Sequence, residues 1–222
     1  LGDCPSIIGV IMVVLIPKTD GGRRPIGLFP TLVRIWMRIR LPIAQAWMLK
    51  KDQPFFYVGP CKGADVAAWK QNLMAESAQC LSLPYLATLL DLIKAFDSVS
   101  FECLLECAID LEYNLFLLRL SIAAYRCARV IEVEGCCSVL VWANVGLGAG
   151  SVLATIELRI LLHRAGERLT SIALFSRITL YVDDATIETM AHQGIVAEQH
   201  AFAVNTFVKD VQALRMRFSD TK

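Results

Sequence analysis

Ile178-Thr179-Leu180-Tyr181-Val182-Asp183-Asp184-Ala185-Thr186-Ile187 sets two adjacent carboxylates between two short runs of β-forming residues. Those flanks predict a hairpin, over residues 173–187, with acids at its tip. Like charges side by side repel, so they require a cation, and hard divalent metals such as Mg²⁺ take carboxylate oxygens. A second acidic element lies upstream, Leu89-Leu90-Asp91-Leu92-Ile93-Lys94-Ala95-Phe96-Asp97, where an apolar strand over 85–92 delivers Asp91 near its end. Two strands that each present an acid can hold a pair of metal ions for in-line phosphoryl or nucleotidyl transfer.

The rest of the chain reads outward from these strands. Residues 7–16 form an apolar strand, Thr19-Asp20-Gly21-Gly22 turns, and 24–28 returns as the second strand of a hairpin. Thr31 caps a helix to about residue 51, which Pro42 kinks or splits. Helices are expected over 64–81, 101–111 (capped by Ser100), 114–127 and 151–169. The last is 196–216, with Ala201, Val204, Val208 and Val211 on one apolar face. A strand at 129–134 turns at Gly135 into 138–142. This order suits an α+β fold in which a small antiparallel sheet carries the acids and helices back it.

With 222 residues, 55% of them hydrophobic, the chain can bury a sizeable core, and disorder is excluded. No signal or transit peptide is visible, so an intracellular site in nucleus or cytoplasm is expected rather than secretion. Residues 136–156 lack charge and are long enough to span a bilayer. However, Asn144 and the glycines 146, 148 and 150 suit a strand, a loop and a helix start instead, so no membrane is expected. The eight cysteines include no C-x-x-C pair and read as reduced, buried thiols. Net charge is only +1, but residues 17–51 hold eight basic residues against Asp20 alone, near +7, leaving the remainder near −6. A local basic face of this kind suits phosphates.

Asp91-x-x-x-Ala95-Phe96-Asp97 followed by Tyr181-Val182-Asp183-Asp184 resembles motifs A and C of reverse transcriptases, in the style of non-LTR retroelements and group II introns. Ile16-Pro17-Lys18 and Arg24-Pro25-Ile26 resemble the fingers motifs. Gly146-Leu147-Gly148-Ala149-Gly150-Ser151 stands where motif B is expected, and Phe218-Ser219-Asp220-Thr221-Lys222 resembles the end of motif D. All five occur in the family's order and cover nearly the whole chain. The resemblance implies a polymerase right hand, with fingers at about 1–83 and 103–138 and palm at about 84–102 and 139–222. Because the chain starts at Leu1 and stops at Lys222, it reads as a fragment of a longer polyprotein, without its thumb.

The family's roles carry over position by position. Asp91 and Asp183 become the primary ligands of two Mg²⁺ ions, which Mn²⁺ can replace, and Asp184 is a further ligand or shapes the local field. Lys18 and Arg24 contact the incoming dNTP, Gly150 allows close approach of the substrate, and Phe96 blocks a ribose 2′-hydroxyl. Lys222 is a proton donor to the leaving pyrophosphate. The implied activity is RNA-directed DNA synthesis on an RNA or DNA template with a DNA primer. One departure stands out: motif B carries Ala149 where the family has Gln, which puts activity in doubt. The alternatives are an inactive nucleic-acid-binding remnant, and an RNA-dependent RNA polymerase sharing the palm.

Overall fold

The computed structural model describes residues 9–19, 21–59 and 61–219. Its chain divides into two compact units: Leu1–Lys50 with Phe96–Ile160, and Lys51–Ala95 with Leu161–Lys222.

The first unit holds a four-stranded sheet in the order β2-β1-β4-β5, formed by β1 (Val10–Pro17), β2 (Arg23–Leu28), β4 (Ala128–Val133) and β5 (Cys136–Cys137). β1 and β2 form the expected hairpin, closed by Lys18 N–H to the Gly22 carbonyl at 2.8 Å. β1 also pairs in parallel with β4. The sequence reading contained only antiparallel pairings, because nothing local marks a partner more than a hundred residues away. The strand expected at 138–142 is reduced to one bridge between Val141 and Arg129.

Helix α1 (Thr31–Lys50) corrects two expectations. Pro42 lies inside it and does not split it. Val33 and Met37 before the proline, and Ala44, Trp47 and Met48 after it, are all buried. Packing on both sides thus outweighs the lost backbone bond, which falls on an exposed part of the helix. Thr31 is already helical. The first bond runs from Arg34 N–H to the Pro30 carbonyl, so Pro30 holds the cap position. Helices α3 (Phe101–Asp110) and α4 (Leu115–Tyr125) pack in the same unit. Asn114 caps α4 through its side chain, at 2.9 Å from Leu117 N–H. Ser100 precedes α3 as expected but makes no side-chain cap bond.

The second unit carries the antiparallel sheet β3-β7-β6, from β3 (Tyr85–Asp91), β6 (Ser176–Tyr181) and β7 (Asp184–Met190). Helix α2 (Ala64–Cys80) and the closing helix α6 (Val196–Ala213) belong to this unit. Helix α5 (Ala154–Ile172) passes from the first unit to the second. On α6 the buried residues are Val196, Ala203, Phe207 and Val211, while Ala201 is exposed. The buried face is thus rotated by about a quarter turn from the expected one, with Val204 and Val208 half-buried at its edge; the bulk of Phe207, fully buried, sets the orientation. His200 joins α6 to the sheet, bonding Thr88 at 2.7 Å and Thr189 at 2.9 Å, and burial lowers its pKa.

No helix among the described residues is long and apolar enough to cross a membrane. Among the described residues Cys61, Cys80, Cys136 and Cys137 are exposed rather than buried. The last two sit, exposed, on the two-residue edge strand β5.

Candidate active site

Alternation along β6 and β7 ends at a two-residue turn. Tyr181 and Asp184 close the hairpin as register partners, so Val182 and Asp183 occupy its tip. Val182 has φ 58° while Asp183 keeps negative φ, the sign pattern of a II′ turn, whose first central residue is normally glycine. A β-branched side chain there is strained by about 1–3 kcal/mol. The strained turn presents its acids at the end of the sheet.

Asp184 also faces Asp91 across the β3–β7 pair. Tyr181, Asp184 and Asp91 therefore form one row across three strands, with side chains on the same face. Asp183 is the next residue along. Two separate runs of sequence thus converge at one sheet edge, and the acid directly opposite Asp91 is Asp184. Beyond Asp91 the chain pairs again: Ser219 N–H donates to the Asp91 carbonyl at 2.9 Å and Ile93 N–H to the Arg217 carbonyl at 2.8 Å. The segment leading toward Lys222 thus runs beside the acidic strand, although Lys222 itself lies outside the described residues. By donor chemistry, carboxylates without thiol or imidazole suit a hard ion such as Mg²⁺. Among the described residues, however, no group of three or more His, Cys, Asp or Glu side chains is clustered as a metal site.

Lys18, Arg24, Phe96 and Gly150 belong to the first unit. Lys18 and Arg24 are both exposed at the turn end of the β1–β2 hairpin. Alternation puts Arg24 on the sheet face opposite to Arg23, which pairs with Glu134 at 3.8 Å.

The glycine loop at 146–150 is built around backbone contacts. Leu147 N–H donates to the Phe96 carbonyl at 2.7 Å, and Gly146 N–H to the Val99 carbonyl at 2.8 Å. Gly27 N–H donates to the Ala149 carbonyl at 2.6 Å. The loop thereby ties the Phe96–Val99 segment to strand β2. Gly150 has φ +112°, and an added Cβ would strike the Gly27 carbonyl oxygen. Its need for glycine is therefore met within the fold, by backbone against backbone. We expect Gly150→Ala to cost about 2 kcal/mol from the strained φ alone, read as a lower urea midpoint.

One group escaped the sequence reading. Glu157, in the first turn of α5, is fully buried and accepts a 2.5 Å bond from the Tyr125 hydroxyl, which also bonds Ser151 at 2.9 Å. Burial raises its pKa to about 7, against the opposing pull of the Tyr125 bond. Ser151 follows Gly150 directly, so this network backs the glycine loop. A signal was present: Glu157 is the first charge after more than twenty uncharged residues. In the second unit Glu188 is likewise buried and accepts a 2.5 Å bond from Tyr85. Burial raises its pKa, while Tyr85 and the Arg177 charge oppose the rise.

Neither a protein-family model nor any curated protein matches the chain. Solved structures do, and they give it a reverse transcriptase-like fold. Specifically, it is similar to telomerase, a polymerase related to reverse transcriptases. Apo telomerase from Candida tropicalis, truncated from the C-terminal domain, aligns over 100% of this chain and 52% of its own at TM-score 0.61. Candida tropicalis telomerase in complex with a TWJ fragment of telomeric RNA aligns over 96% and 41% at 0.64. The corresponding Candida albicans complex aligns over 99% and 43% at 0.61. Identity is 14% in each case. The chain spans about half or less of the length of these telomerases.

Proposed function

We propose that this chain is the part of an RNA-directed DNA polymerase that carries the acidic site, of the retroelement type its motifs resemble. The observation that carries the reading is the cross-strand pair Asp91–Asp184, with Asp183 at the adjoining strained tip, on a reverse transcriptase-like fold. In this reading the sheet β3-β7-β6 is the palm, and the β1–β2 hairpin belongs to the fingers. Asp91, Asp183 and Asp184 would hold two Mg²⁺ ions. When bound, these supply activation of the primer 3′-hydroxyl and neutralisation of the pyrophosphate charge.

The remaining roles fall to the chain's own side chains. Lys18 gives a mobile positive charge and Arg24 a planar fork of donors for the triphosphate. The Phe96 ring, its backbone held by Leu147 N–H, crowds the sugar 2′ position and favours deoxynucleotides. RNA template and DNA primer are the partners, as suits a fold shared with telomerase structures in complex with telomeric RNA.

A second reading, an inactive nucleic-acid-binding remnant, is favoured by Ala149. That position keeps only its backbone bond to Gly27 and offers no side-chain amide. Primer extension on an RNA template with Mg²⁺ or Mn²⁺ separates the two. We expect dNTP incorporation to exceed rNTP incorporation by at least tenfold, with Phe96→Ala narrowing the gap. Equal or better rNTP use would turn the assignment toward an RNA polymerase. Template binding without any extension would leave the remnant reading in its place.

A further inference from the structure

Helix α1 has two apolar faces. One is buried in its own unit through Val33, Met37, Ala44, Trp47 and Met48. The other is the stripe Leu32, Ile35, Ile39 and Ile43, and Ile39 is 65% exposed. These positions follow the spacing of a single helix face. Arg34 and Arg38, one turn apart and both exposed, run along its edge, and α1 contains no acid at all. A helix apolar on both sides is normally covered on both sides.

The same unit carries the complementary pattern on α3. There Leu105 and Ile109 are one turn apart, and Ile109 is 55% exposed. Glu106 and Asp110, one turn apart and exposed, border them. The aliphatic spacing of one stripe matches the other, and the charges bordering them are opposite in sign. The exposed apolar side chains of both stripes are aliphatic. They interdigitate with one another but give a nucleic-acid base no ring to stack on.

We propose that the chain associates with a second copy of itself, with the Ile35–Ile39–Ile43 stripe of α1 on one copy seated against Leu105–Ile109 of α3 on the other. Arg34 and Arg38 face Glu106 and Asp110 across the contact. Each copy carries both halves of the surface, as self-association requires. Both stripes lie in the first unit, and the contact does not depend on the polymerase reading.

Sedimentation equilibrium of the 222-residue chain, after nuclease treatment, tests this. Self-association in the micromolar range is expected. It should be abolished by Ile39→Asp, by the pair Arg34→Glu and Arg38→Glu, and by the pair Glu106→Arg and Asp110→Arg. Mixing the two charge-reversed proteins should restore a heterologous complex, because the reversed borders again complement each other. All these positions are exposed, and a native far-UV circular dichroism spectrum checks that each variant folds. A wild-type chain that stays monomeric at about 100 µM overturns the proposal. So does association that survives Ile39→Asp, or charge-reversed partners that fail to combine.

Discussion

Asp184→Asn is expected to lower primer extension by about a thousandfold while leaving the fold as stable as before or slightly more so. Under the proposed polymerase function, the loss would follow from removing one anionic ligand of a metal ion that stabilises transition-state charge. The gain follows from register. Asp184 lies directly opposite Asp91, and like charges in opposed positions destabilise a sheet by roughly 0.2–1 kcal/mol. Removing one of them should raise the Tm by about 1–3 °C for a chain of this size. Asp91→Asn should lower extension in the same way. Opposite signs for activity and stability mark a site that the fold tolerates for its chemistry. If Asp184→Asn extends primers at the wild-type rate, the carboxylate row is a surface feature of the hairpin and the polymerase reading falls. If it destabilises the protein, the acid has a structural partner instead.

The parts of this site that were legible in the sequence are those encoded locally. Alternating β-formers around Asp183 and Asp184 gave the hairpin, and an apolar run ending in Asp91 gave β3. The strand bounds came out within a few residues because periodicity and turn residues act over short spans. The cross-strand register was not legible: a shift of one residue would have put Asp183 rather than Asp184 opposite Asp91. The parallel β1–β4 pair, the survival of α1 through Pro42 and the orientation of α6 all depend on tertiary packing. Gly150 shows the same limit from the other side. Its glycine was noticed for ligand approach, yet the steric demand at that position comes from the Gly27 carbonyl.

A charge buried behind the glycine loop should make stability depend on pH in an unusual direction. Glu157 has its pKa raised from 4.5 to about 7, chiefly by burial. Between these two values the folded chain keeps a proton that the unfolded chain has lost. Folding stability from this group is thus fully present below about pH 4.5 and falls as pH rises through 7. At about 1.4 kcal/mol per unit of pKa difference, the loss approaches about 3 kcal/mol above neutrality. Most carboxylates, stabilised as anions, give the opposite slope. Glu157→Gln keeps an acceptor for the Tyr125 hydroxyl and removes the titration. Urea unfolding at pH 5 and pH 8 should therefore show the variant gaining on the wild type by about 3 kcal/mol between the two conditions. Parallel pH profiles for the two proteins would mean that Glu157 is ionised in the fold and that its burial is relieved some other way. Because Ser151 links this network to Gly150, the loosening at high pH should begin at the loop. Faster amide exchange at Gly148 and Leu153 than in α4 would register it before global unfolding.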